Sequence, residues 1–168
     1  MIRDAKIEDA KKLLEIYSYY VENTAISFEI TVPTLEEFEN RIKYFQSKYP
    51  YLVLEDENKI CGYVYAHEFG EREGYRYTVE TSIYLDKDSK GKGFGKLLYA
   101  ELEKRLKSIG IKNVCAAVVR GDANDKHIND NSYNFHKKLG FTEVGTFHKC
   151  GCKFDNMYDI VYFEKILN

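Results

Sequence analysis

No stretch of this 168-residue chain approaches the roughly 20 consecutive apolar residues that a membrane-crossing helix requires. The first residues, Met1-Ile2-Arg3-Asp4-Ala5-Lys6, lack the apolar core of a secretory signal, so the expectation is a cytoplasmic protein with reduced thiols. An excess of one charge is missing too. Lys and Arg number 25 against 27 Asp and Glu, a formal net charge of −2, which argues against a nucleic-acid binder. Cysteine is scarce. Cys61 and Cys115 stand inside apolar, strand-like runs and read as buried fillers. Cys150 and Cys152 form a single C-x-C near His148, with no second pair at zinc-finger spacing, so no metal is expected. Aromatic side chains, by contrast, abound: 15 Tyr and 10 Phe exclude a solvated coil. With 44% apolar residues at this length, one domain spanning residues 1–168 can build a real core.

Periodicity sets out the elements. Met1 to Asp4 reads as a short strand, and Ala10, Leu13, Leu14, Tyr17, Tyr20 and Val21 recur at helical spacing. A loop over Thr24 to Pro33 precedes a second helix over Thr34 to Gln46, where Thr34 and Glu37 are placed for a capping box. Tyr51–Glu55, Ile60–Phe69 and Tyr75–Leu85 are extended runs joined by short polar connections, which predicts an antiparallel meander. A third helix carries Phe94, Leu97, Leu98, Leu102, Leu106 and Ile109 as its apolar stripe and stops at Gly110. Val114–Val119 is a buried strand, Gly121–Asn131 a polar loop and Ser132–Leu139 a short helix. Phe141–Phe147 and Tyr158–Ile166 are the last strands. The string is β-α-α-β-β-β-α-β-α-β-β, a mixed α/β chain.

The chemistry concentrates at Lys90-Gly91-Lys92-Gly93-Phe94-Gly95-Lys96, where a strand gives way to the third helix. Glycines there permit a tight turn and close approach of a ligand. The unpaired N–H groups of the helix start, with its dipole, favour an anion. A Walker loop is excluded, because Leu97 follows Gly95-Lys96 and Lys90 stands where the first glycine belongs. A dinucleotide fingerprint also fails, Lys96 replacing its third glycine.

The loop resembles instead the pyrophosphate loop of the Gcn5-related N-acetyltransferases, with Lys90 in place of the usual Arg or Gln. From about Arg3 to Phe163 the chain is similar to the phosphinothricin and methionine-sulfone acetyltransferase branch of that superfamily. The resemblance rests on Thr24, Phe28, Tyr49-Pro50, Gly62-Tyr63, Arg72, Tyr75, Thr78-Val79-Glu80, Asn129-Asp130, Ser132, His136 and Leu139-Gly140-Phe141. It implies an α/β acyl-CoA N-acyltransferase fold, a mixed and mostly antiparallel sheet flanked by helices. It implies acetyl-CoA as cosubstrate, no metal, a small-molecule amine acceptor and a homodimer. Glu80, mid-strand where Glu has poor propensity, is the implied general base. His136 is the implied partner protonating the departing thiolate. Ile83, Tyr84 and Leu85 would run beside the pantetheine and Gly91 to Lys96 would take the pyrophosphate. Asn129 and Ser132 would bond the cofactor arm, with Asn124 competing for the place of Asn129 because the 121–131 loop is longer than usual. Phe28, Arg72 and Tyr75 would meet the acceptor, the Arg fork holding a carboxylate or phosphinate. Met157 replaces the branch's usual Trp. Two alternatives stay open: another amine acceptor (protein N-terminus, polyamine or aminoglycoside), or an acyl-CoA-binding module without turnover.

Overall fold

The computed structural model describes residues 1–168. Along it follow β1 (Ile2–Asp4), α1 (Ala10–Asn23), α2 (Leu35–Gln46), β2 (Tyr51–Asp56), β3 (Lys59–Glu68) and β4 (Thr78–Leu85). Then come α3 (Phe94–Ser108), β5 (Asn113–Arg120), α4 (Asn131–Lys138), β6 (Thr142–Lys153) and β7 (Asn156–Ile166). The strands form one seven-stranded sheet in the order β1-β2-β3-β4-β5-β7-β6, in which only β4 and β5 run parallel. No helix is long and apolar enough to cross a membrane.

Each face of the sheet carries its own core. Leu98, Tyr99, Leu102 and Leu106 of α3 pack on Val64, Val79, Ala116 and Phe163. Across the sheet, Leu13, Tyr17 and Val21 of α1 and Ile42 of α2 pack on Tyr51, Val53 and Tyr63. Each fully buried Leu contributes about 1.5–3 kcal/mol by leaving water. Helix α2 starts on the expected reciprocal cap, Thr34 Oγ1 accepting from Glu37 N–H at 3.2 Å and Glu37 Oε2 from Thr34 N–H at 2.7 Å.

Three expectations are corrected. The buried stripe of α3 is rotated by about one residue: Leu97 and Ile109 are 54% and 52% exposed, and Tyr99 is fully buried. Glu73–Tyr75 forms a 3₁₀ turn, so β4 begins at Thr78. Finally, β6 and β7 extend much further toward each other than their apolar ends indicate, making one long hairpin that takes Cys150 and Cys152 into β6. Strand β6 lies at the sheet edge with both faces exposed, so no hydrophobic alternation marks it. Cys61 and Cys115 are buried, as their surroundings indicate.

Candidate active site

Strands β4 and β5 pair only through Thr78–Asn113, Val79–Val114 and Glu80–Cys115. Beyond Glu80 they part. Strand β4 stays on β3 as far as Leu85, and β5 stays on β7 as far as Arg120. Thr81 to Leu85 therefore keep one edge without a strand partner, and an extended amide-bearing ligand can add to such an edge. Ile83, Tyr84 and Leu85 lie on it, although the Leu85 carbonyl already accepts from the Tyr20 hydroxyl at 2.6 Å.

The glycine loop follows directly. Gly91 and Gly93 both sit at φ +80°, and Gly93 is the N-cap of α3. Backbone N–H groups from Gly91 to Gly95 donate to no carbonyl of the chain; the first to do so is Lys96, to Gly93 at 3.1 Å. Gly95 is glycine for a different reason. A Cβ there would stand 2.9 Å from Phe135 of α4. The ammonium of Lys90 lies over the rings of Tyr19 and Tyr20 at 5.4 and 5.0 Å, and burial lowers its pKa. Lys92 and Lys96 are exposed beside it.

Glu80 stands where the strands begin to part. Alternation along β4 sends Val79 and Thr81 into the α3 side and Glu80 to the other face. There it lines a cavity of about 780 Å³. Thr78, Asn113 and Cys115 contribute to the floor and Phe69, Tyr75, Phe147 and Tyr162 to the aromatic walls. Two carboxylates, Glu80 and Glu164, face this space, and no Lys or Arg does. Burial raises the Glu80 carboxyl above its ordinary value, opposed by His67, whose Nε2 is 4.0 Å from Glu80 Oε1. Burial likewise pushes the Cys115 thiol up to about 11, so it is no nucleophile at neutral pH.

Of the three expected acceptor contacts, Tyr75 lines the cavity and Phe28 and Arg72 do not. Arg72 is exposed on the turn before β4. Phe28 packs on Tyr158 and Gly151, where a Cβ would lie 2.2 Å from the ring. The loop carrying Phe28 is fastened by Arg41 to Glu29 at 2.6 and 2.9 Å, Tyr17 to Ser27 at 2.8 Å, and the buried Lys153 to the Ser27 carbonyl at 2.7 Å.

His136 also departs from expectation. Its Nε2 is 3.1 Å from the Tyr99 hydroxyl, itself 3.0 Å from Thr81 Oγ1, and its Nδ1 is 2.8 Å from the Ser132 carbonyl. Because Thr81 and Glu80 point to opposite faces of β4, His136 and Glu80 are on opposite sides of the sheet. At 4% exposure, with Phe141 and Phe163 against its ring, His136 is a core residue in this chain. Asn129 and Ser132 sit at the start of α4, the Asn129 side chain accepting from Asn131 N–H at 3.0 Å; Asn124 is exposed. Sequence reasoning missed His67 and Glu164. Folding the β3–β4 segment about Glu73-Gly74 places His67 opposite Glu80, so the first was within reach; nothing local announces the second.

A strand edge opened beside a glycine-rich helix start, with a half-buried carboxylate at the fork, suits a CoA-using acyltransferase. Residues 2–162 match the family described as acetyltransferase (GNAT) domain, and the chain belongs to that family. It is similar to phosphinothricin N-acetyltransferase of Alcaligenes faecalis, 32% identical over 99% of this chain and 82% of that one. It resembles equally the L-methionine sulfoximine/L-methionine sulfone acetyltransferase of Pseudomonas aeruginosa, 32% identical over 97% and 92% of the two chains. Among solved structures, a phosphinothricin acetyltransferase from Sinorhizobium meliloti in complex with AcCoA superposes with a TM-score of 0.91. It is 33% identical and covers 100% of this chain and 88% of its own. The protein is an acetyl-CoA-dependent acyltransferase.

Proposed function

We propose that this enzyme moves the acetyl group of acetyl-CoA to the α-amine of a small amino acid or a toxic analogue of the phosphinothricin or methionine-sulfoximine type, with Glu80 as general base. The observation that carries the reading is Glu80, half-buried at the fork of β4 and β5, where it faces the cavity beside the start of the free strand edge. The names of the relatives support the acceptor class.

The residues fit the cosubstrate. The free amides of Gly91 to Gly95 and the ammonium groups of Lys90, Lys92 and Lys96 suit a diphosphate, and the open edge from Thr81 to Leu85 suits an amide-bearing arm. Bound there, acetyl-CoA supplies an activated acyl group beside Glu80. An amine of pKa ~8 is only about one-tenth unprotonated at pH 7, so a base must take its proton. Burial raises the affinity of Glu80 for that proton. Glu80→Gln keeps shape and hydrogen-bonding capacity but cannot accept the proton. Its kcat at pH 7 is expected to fall by about 10²-fold or more, measured as thiol release. Near wild-type turnover would remove Glu80 from the chemistry.

Glu164, with no basic side chain among the cavity walls, favours a second reading in which the acceptor carries further positive charge, as polyamines do. A panel of amino acids, their sulfoximine and phosphinate analogues, and polyamines separates the two. A homodimer belongs to the first reading. It would cover the exposed Val144, Phe147 and Met157 of the β6–β7 hairpin, and light scattering on the eluting protein reports it.

A further inference from the structure

Directly opposite Glu80 in the β3–β4 register stands His67. Cross-strand partners of this kind share one face of the sheet, and here the imidazole Nε2 lies 4.0 Å from Glu80 Oε1. The other ring nitrogen, Nδ1, is 3.1 Å from the Glu68 carbonyl. A carbonyl oxygen can only accept, so Nδ1 carries a hydrogen and Nε2 is the ring nitrogen that can gain or lose one on the Glu80 side. Phe45 of α2 and Tyr65 of β3 hold the ring from the sides, at centroid distances of 5.6 and 6.1 Å. The two side chains are 25% and 24% exposed, so each is held by protein on one side and reaches water on the other. No group of the chain donates a hydrogen bond to the Glu80 carboxylate.

The surrounding charges leave this pair to itself. Glu68 is engaged by Lys48 and by the Tyr44 hydroxyl. Arg41 of α2 is committed to Glu29. On the β5 side the neighbour is Cys115, which is uncharged at neutral pH. His67 is therefore the one titratable side chain within reach of the Glu80 carboxylate on this face.

We propose that His67 is the second member of a proton relay, taking from Glu80 the proton that Glu80 takes from the acceptor. The inference rests on Glu80 being the base. An N–H bond of the acceptor ammonium breaks as an O–H bond forms on Glu80. That O–H then breaks as Nε2–H forms, directly or through one water across the 4.0 Å gap, and the imidazolium gives its proton to solvent. No electrons change hands, and Glu80 returns to the carboxylate before the next acceptor arrives. The arrangement answers a difficulty that burial creates, since a carboxyl that favours its proton is slow to give it up. An imidazole, by its ordinary value, binds protons about two pH units more tightly than a carboxylate.

The test is His67→Gln, whose amide can still donate to the Glu68 carbonyl but cannot carry a proton. Expected is a fall in kcat of roughly tenfold, below the 10²–10⁴ of a direct acid or base. KM for acetyl-CoA stays within about twofold, and the acid limb of log kcat against pH loses its imidazole step. Raising the concentration of a small basic buffer such as imidazole restores turnover in the variant and leaves the wild type unchanged. His67→Asn, smaller and unable to clash, gives the same readings if the glutamine variant folds poorly. An unchanged kcat and pH profile in the folded variants, with Glu80→Gln inactive, overturns the relay while the base stands. An active Glu80→Gln overturns both.

Discussion

Both ring nitrogens of His136 have partners inside the protein, Ser132 on one side and Tyr99 on the other, and the ring has almost no access to water. Burial lowers its pKa, so the folded protein holds the neutral imidazole. An unfolded chain with the ordinary value near 6.5 binds a proton that the folded one refuses. Stability from this residue is thus complete above about pH 6.5 and drains as pH falls toward the lower folded value. Glu80, raised in the fold, acts in the opposite sense on its side of the sheet, so only the difference between wild type and a His136 variant isolates the histidine. Urea unfolding of His136→Gln is expected to show a loss of about 1–3 kcal/mol at pH 7.5 from the broken buried hydrogen bonds. Between pH 6.5 and 5.5, the wild type should lose up to ~1.4 kcal/mol per pH unit more than the variant. Parallel curves would mean that His136 takes up its proton freely in the fold. Glu80 stood out at this scale because a carboxylate has poor propensity for mid-strand, and the fold brings it to the cavity. For His136, position along a short polar helix does not tell a core-facing histidine from a cleft-facing one, and the fold buries it.

Among the elements, those read correctly bury a stripe or a run of apolar side chains. Helices α1 and α2 each bury a periodic stripe, and strands β2, β3 and β5 bury continuous apolar runs that feed the cores on both faces of the sheet. The β6–β7 hairpin fails this criterion, since twelve residues of β6 are exposed nearly throughout and positive φ at Lys149, Phe154 and Asp155 breaks any simple alternation. The glycine loop was legible as a tight turn into a helix start with open amides, yet its three glycines serve two purposes. Gly93→Ala places a side chain at φ +80°, costing about 1–2 kcal/mol, and crowds the open amides. Gly95→Ala keeps ordinary helical backbone and presses only on Phe135. Steady-state kinetics should show KM for acetyl-CoA raised severalfold in Gly93→Ala. In Gly95→Ala, thermal unfolding should fall by several degrees with KM little changed. The reverse pattern would move the diphosphate away from the first turn of α3.

At the scale of the whole molecule, a net charge of −2 conceals two poles on either side of the β4–β5 fork. Lys90, Lys92 and Lys96 crowd the start of α3, whereas the cavity beyond Glu80 holds Glu80 and Glu164 and no Lys or Arg. This division is invisible in sequence, because Glu80, Cys115 and Glu164 become one row only through the pairing of β4 with β5 and of β5 with β7. Adjacent strands are ~4.8 Å apart, so Glu164 is about 10 Å from Glu80 along that row, near enough to draw in an ammonium group and too far to share its proton. Glu164→Gln removes the second charge and leaves Glu80 in place. The Asn113 amide, 3.0 Å from Glu164 Oε2, can still donate to the new side-chain oxygen, so the floor of the cavity should hold its shape. An attraction of this kind at a half-exposed site is worth about 0.3–1 kcal/mol. KM for the amine should therefore rise roughly two- to fivefold, with KM for acetyl-CoA unchanged because its pole lies across the fork. Added salt should raise both KM values in the wild type and lose part of its effect on the amine in Glu164→Gln. If the variant instead bound the amine more tightly, the acceptor would bring negative charge to that end of the cavity, and the clamp for it would have to lie outside the walls described.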